Sequence, residues 1–145
     1  MTRCPMSSCG ISSKSQLDLL LDTHVFVWAI ADSSRLDRLT QMALASSDNL
    51  VLVSSVTPWE IAINRELGRL KFPLNLFGEI IERMGFDILP ILPAHGIAAG
   101  ALPRHHGDPF DRMLIAQALT EALTLVTQDR AFLSYDVPVL GVSAP

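Results

Sequence analysis

A chain of 145 residues, 49% of them hydrophobic, is long enough for one domain with a substantial core. No apolar stretch approaches the ~18 residues a membrane span requires; the longest, residues 25–31, runs directly into Asp32, so no membrane partner is expected. The formal charge of −4 argues against nucleic-acid binding through a broad basic surface, although the four acids singled out below account for all of it.

Residues 1–16 are Ser-rich and lack the apolar segment of a secretion signal, so they read as a flexible tail and residues 17–145 as the folded domain. Cys4 and Cys9 are the only cysteines, and both lie in that tail. They are either a metal or disulfide pair or simply two thiols of a cytoplasmic chain. The continuous apolar run 17–21 predicts a short buried strand, which Asp22 ends before a helix over Thr23–Ala31. A second helix is predicted over 35–45, with Leu36, Leu39, Met42 and Ala43 on one face. Residues 46–49 are a turn cluster, and 50–53 a second strand.

Thr57, Pro58 and Glu60 compose a helix start, with Thr57 as N-cap, Pro58 at the first helical position and Glu60 closing a capping box. That helix reaches Leu67 and stops at Gly68. Pro73 separates it from a helix over 74–84, which Gly85 stops; residues 86–89 are a third strand and 94–102 a further helix. After the polar loop 103–107, Asp108 as N-cap and Pro109 in first position open a helix to about residue 122. Residues 123–126 are a fourth strand, 128–133 a short helical turn, and 137–142 an edge strand, since Pro138 suits an edge and not a sheet centre. This alternation predicts a doubly wound α/β domain, a central, mostly parallel sheet with helices on both faces.

Asp22, Glu60, Asp111 and Asp129 each follow an apolar run and lie at or near a predicted helix start. In a parallel α/β sheet such places converge on the crevice outside the strand ends. Two unit charges ~4 Å apart repel by roughly 1 kcal/mol in water and roughly 4 at an effective dielectric near 20. A divalent cation, Mg²⁺ or Mn²⁺, removes that cost, so the four acids predict a metal site suited to phosphodiester cleavage. Each acid also has a plainer reading. Asp22 and Asp108 fit caps, Glu60 the capping box, Asp111 the favourable end of a helix dipole, and Asp129 a turn. The joint pattern, all following strands central to the sheet, is what singles them out.

Four stretches, 19–24 (LLLDTH), 55–61 (SVTPWEI), 108–118 (DPFDRMLIAQA) and 125–132 (LVTQDRAF), resemble the successive motifs of PIN-domain ribonucleases, in particular the VapC-type toxins of bacterial toxin–antitoxin pairs. The resemblance covers about residues 17–142. It implies that Asp22, Glu60 and Asp111 match the three invariant acids, and that Asp129 matches a fourth, less uniform one. Thr127 falls where a hydroxyl supports the site, and Asp108 is a further supporting acid. His24 departs from the small polar residue that many members carry there. The resemblance also implies metal-assisted hydrolysis of RNA to a 5′-phosphate and a 3′-hydroxyl, a homodimer, and an antitoxin partner whose C-terminal segment blocks the site.

Around these motifs, Arg104, Arg112 and Arg130 are candidates for the RNA backbone or plain surface charges. His105 and His106 are candidate phosphate or metal contacts or solvated loop residues. Trp28 and Trp59 are base-stacking candidates, or else pack in the core or line a partner groove. Phe26, Ile63, Leu67, Leu70 and Phe72 are candidates for partner surfaces or for the core. The competing functions are a catalytically silent PIN-like binding module and a DNA-directed nuclease. A haloacid-dehalogenase reading lacks its second Asp, the place being His24, and a dinucleotide-binding reading lacks a Gly-rich turn after the first strand.

Overall fold

The computed structural model describes residues 16–142. Cys4 and Cys9, with all of the predicted tail before Gln16, lie outside the described residues.

The chain alternates as expected: β1 (Asp18–Leu21), α1 (Thr23–Ala31), α2 (Arg38–Ala45), β2 (Leu50–Ser54), α3 (Val56–Glu66), α4 (Phe77–Met84), β3 (Asp87–Leu89), α5 (Pro93–Ala101), α6 (Pro109–Glu121), β4 (Thr124–Val126) and β5 (Val139–Leu140). The strands form one sheet in the order β3-β2-β1-β4-β5, and every pairing is parallel. Because successive side chains of a strand face opposite ways, the all-apolar β1 feeds two cores. Leu19 and Leu21 join Phe26, Val51, Val53, Ile61, Phe72 and Phe86 on one face. Leu20 joins Leu114, Ile115, Leu125, Phe132 and Tyr135 on the other. Pro138 sits at the edge strand, where its carbonyl accepts from Leu125 N at 2.9 Å and its missing N–H matters least.

Two local expectations give way. The predicted helix 35–45 is split: Ser33–Arg35 is a 3₁₀ turn, Leu36 is extended and buried, and α2 begins only after Asp37, whose carboxylate accepts from Thr40 N at 2.7 Å. Within α2, Leu39 and Met42 are 69% and 58% exposed, so the apolar face expected there is not the buried one. Helix α3 starts at Val56, before Thr57; the Ser54 hydroxyl accepts from Val56 N at 3.0 Å, and neither a Thr57 cap nor a Glu60 capping box forms. Phe26 and Phe72, which the sequence left open between core and partner surface, are core residues.

Candidate active site

The strand order reverses its direction of growth at β1, with β2 and β3 on one side and β4 and β5 on the other. A crevice opens beyond the carboxyl ends of strands at such a point. Asp22, the first residue past β1, is anchored there by its N–H, which donates to Val126 O of β4 at 2.9 Å. It occupies the N-cap position of α1, but its carboxylate makes no cap bond. Its Oδ2 accepts instead from Thr127 Oγ1 at 2.8 Å. The same hydroxyl accepts from Asp129 N at 3.0 Å, so Thr127 fixes two acids at once. Glu60, buried in α3, accepts from Thr23 Oγ1 at 2.6 Å, a partner 37 residues away. Asp111, in the first turn of α6, has Oδ2 at 2.6 Å from His106 Nε2, with a proton held between them.

This separates the acids that cap helices from those that do not. Asp37 and Asp108 cap with their carboxylates, Asp108 Oδ1 accepting from Phe110 N at 2.8 Å and Asp111 N at 3.3 Å. Asp129 caps its 3₁₀ turn with one oxygen, accepting from Ala131 N at 2.9 Å. The carboxylates of Asp22, Glu60 and Asp111 serve no cap. The sequence expectation that all four acids follow central strands holds for Asp22, Glu60 and Asp129. Asp111 instead enters from α6, two helices after the edge strand β3.

The electrostatics show that the acids share one field. Burial first of all pushes Asp22 upward from the ordinary carboxylate range, against the hydrogen bond from Thr127, and Asp129 adds to the rise. Burial likewise raises Glu60, with Asp108 and Asp22 contributing. Asp111 is pushed up to about 7, by burial and then by the charge of Asp22, despite its bond to His106. No Lys or Arg is paired with these three acids among the described residues. One ligand atom each from His106, Asp111 and Asp129 lies within 4.8 Å of the others, with Asp22 and Glu60 outside that circle but within electrostatic reach. Carboxylate oxygens without a balancing cation are the donor set that Mg²⁺ or Mn²⁺ favours. The residues present fit such an ion.

Two residues take other places than expected. Arg112 does not reach for a substrate: its guanidinium donates to Ala99 O, Leu102 O, Pro103 O and His106 O at 2.8–3.3 Å, tying the end of α5 and the loop 103–106 to α6. Tyr135 reinforces that loop, its hydroxyl accepting from His106 N at 3.0 Å. His106, for which the sequence left open a metal or phosphate contact and a solvated loop residue, is thereby held against Asp111. A cleft of about 660 Å³ beside Glu60 is lined by Trp28, Arg35 and Arg69, of which the two arginines were not anticipated. Neither Arg35 nor Arg69 follows an apolar run, so only tertiary packing reveals them.

This architecture, a parallel sheet with carboxylates gathered at its switch point, defines a class, and the comparisons place the chain within it. Residues 19–138 match the PIN domain, and the chain belongs to the PIN-domain family. It is 32% identical over 127 residues to Ribonuclease VapC22 of Mycobacterium tuberculosis, spanning 83% of this chain and 93% of that protein. Its fold is similar to VapBC2 from Rickettsia felis bound to a DNA fragment from their promoter, with a TM-score of 0.64, 17% identity, and 86% of this chain and 98% of that one covered. It is also similar to DNA-bound VapBC from Salmonella typhimurium, with a TM-score of 0.63, 16% identity, and 86% and 97% covered. At these two identities the likeness is one of fold. No helix of the described residues is long and apolar enough to cross a membrane.

Proposed function

We propose that the protein is a divalent-metal-dependent endoribonuclease, the toxin of a type II toxin–antitoxin pair acting in the cytoplasm. The observation that carries this reading is the trio of Asp22 and Glu60, buried, and Asp111, half-buried, whose carboxylates serve no cap and pair with no Lys or Arg among the described residues. The name of the M. tuberculosis relative and the VapBC identity of the structural neighbours support it.

In this reading Asp22, Glu60, Asp111 and Asp129 hold Mg²⁺ or Mn²⁺ in the crevice. When bound, the ion supplies Lewis acidity toward a phosphoryl oxygen and lowers the pKa of water. The chain's own contribution is orientation. Thr127 aims Asp22, Thr23 aims Glu60, and His106 steadies Asp111, so the donors are set before a ligand arrives. Arg112 acts at one remove by holding the His106 loop. A cognate antitoxin and a second copy of the chain are the proposed partners. Ile97, 75% exposed on α5, with Ile88, Ile91 and Leu92 nearby in the chain, offers an apolar face for one of them.

Purified protein incubated with single-stranded and structured RNAs in Mg²⁺, Mn²⁺ or EDTA tests the activity. Wild type is expected to cut only with metal, and Asp22→Asn and Asp111→Asn to lose about a hundredfold or more of the rate. Equal cutting by the variants would place the activity elsewhere.

A further inference from the structure

The cleft beside Glu60 is lined by groups of both charges, Glu60 and Asp108 together with Arg35 and Arg69, and by the Trp28 ring. Its volume, about 660 Å³, admits one flexible nucleotide unit rather than a duplex. Arg35 Cζ lies over the Trp28 ring, 4.7 Å from its centroid. His24 borders the same ring at 5.8 Å. Neither Arg35 nor Arg69 forms an ion pair among the described residues. Positive charges without an ion-pair partner among the described residues, beside a flat aromatic and guanidinium surface, are what an unpaired nucleotide requires.

The segments carrying Arg35 and Arg69 are also tied to those carrying the acids. Gln128 Nε2 donates to Arg35 O at 3.1 Å, and Gln128 stands between Thr127 and Asp129. Arg69 N donates to Asn64 O at 2.9 Å, and Asn64 Nδ2 to Glu60 O at 3.0 Å, which ties the Arg69 turn to the helix carrying Glu60. Trp59 makes the contrast: it is 60% exposed, packs edge-on against Phe110 at 5.0 Å, and does not line this cleft.

We propose that Trp28, Arg35 and Arg69 form a subsite for the nucleotide next to the scissile phosphate of single-stranded RNA, the Trp28–Arg35 stack taking its base and Arg69 its phosphate. The proposal deepens the nuclease reading and rests on it for the identity of the ligand.

In a Trp59→Phe protein Trp28 is the only tryptophan, so its emission reports on this cleft. Titration with an eight-residue oligouridylate in EDTA is expected to change that emission saturably. Arg35→Ala and Arg69→Ala, both at exposed positions, are expected to weaken the apparent affinity about 5- to 20-fold. A Glu-rich peptide of equal length is expected to leave the emission unchanged. In Mg²⁺-dependent cleavage the same arginine variants raise KM by a similar factor with kcat within about twofold, and Trp28→Phe retains affinity that Trp28→Ala loses. Emission that ignores the oligouridylate or answers the peptide equally overturns the subsite. So does an unchanged KM in the arginine variants beside an Asp22→Asn protein that has stopped cutting, which leaves the nuclease reading intact. A wild-type protein that cuts no RNA while Trp28 still answers the oligouridylate upholds the subsite and sinks the nuclease.

Discussion

His95 and Asp22 are 0% and 5% exposed, and each sits among other buried polar groups, but the two clusters are built on opposite terms. His95 Nδ1 accepts from Leu92 N at 3.0 Å, which leaves the ring proton on Nε2 to meet Glu121 Oε2 at 2.8 Å. Gln117 closes the group, its Nε2 3.3 Å from His95 Nδ1 and from Pro90 O. The result joins the start of α5 to α6 with every imidazole nitrogen satisfied, Gln117 Oε1 alone in the group being buried without a hydrogen-bond partner among the described residues. Around Asp22 the acids gain hydroxyl and imidazole contacts but no full cation, and three of them are pushed toward protonation. A satisfied polar cluster stabilises a fold, whereas an unbalanced one lowers stability and is retained where a ligand restores the balance.

Removing the satisfied imidazole should therefore cost the most stability and the least chemistry. His95→Ala leaves a cavity and strands the Leu92 N–H, and is expected to cost about 3 kcal/mol in urea denaturation. Cutting by the folded fraction should stay within about twofold of wild type. A large loss of cutting at unchanged stability would mean that the two clusters are not separate.

The next effect lies between them. Gly141 has φ +110°, and a Cβ there would lie 2.5 Å from Thr127 O. Thr127 carries the hydrogen bond to Asp22, so Gly141→Ala strains the β5 end and shifts the residue that aims a site acid. The expected cost is about 2 kcal/mol, with cutting down about tenfold at full folding. Gly78→Ala, in the exposed α4 with open space at its Cβ, is the control and should be neutral or slightly stabilising.

These sites also show what the sequence can and cannot reveal. The strand and helix order, the Asp108–Pro109 helix start and the edge position of Pro138 are local signals, and each appears where the chain predicts it. Asp22 is legible because one apolar run ending in an acid marks both a strand end and a crevice. The Thr57 cap fails because tertiary demand overrides a local preference: Glu60 is taken by Thr23, and Ser54 supplies the cap. The sequence named His106 as a metal or phosphate candidate but could not choose between that and a solvated loop residue, and Arg35 was beyond the pattern, because their positions depend on distant partners, Tyr135 for the one and Gln128 for the other. Arg112 was misread for the same reason, since nothing in its neighbours along the chain shows that four carbonyls from residues 99–106 wait for it.

The smallest effect is the sharpest test of the comparison, because its sign is unusual. Asp111 is held at about 7 in the folded protein, well above its unfolded value, so between roughly pH 4 and 7 the folded state binds more protons than the unfolded one. Stability of the metal-free protein therefore falls as pH rises through that window. In EDTA at pH 8, Asp111→Asn should raise Tm by about 3–6 °C while removing cutting. The gap should close as pH drops toward 5, where a protonated Asp111 is as neutral as the amide. Adding Mg²⁺ at pH 8 should stabilise wild type more than the variant, since only wild type has the full charge to be neutralised. If Asp111→Asn instead destabilises the metal-free protein at pH 8, the carboxylates are satisfied within the chain just as His95 is, and the two clusters no longer differ in kind.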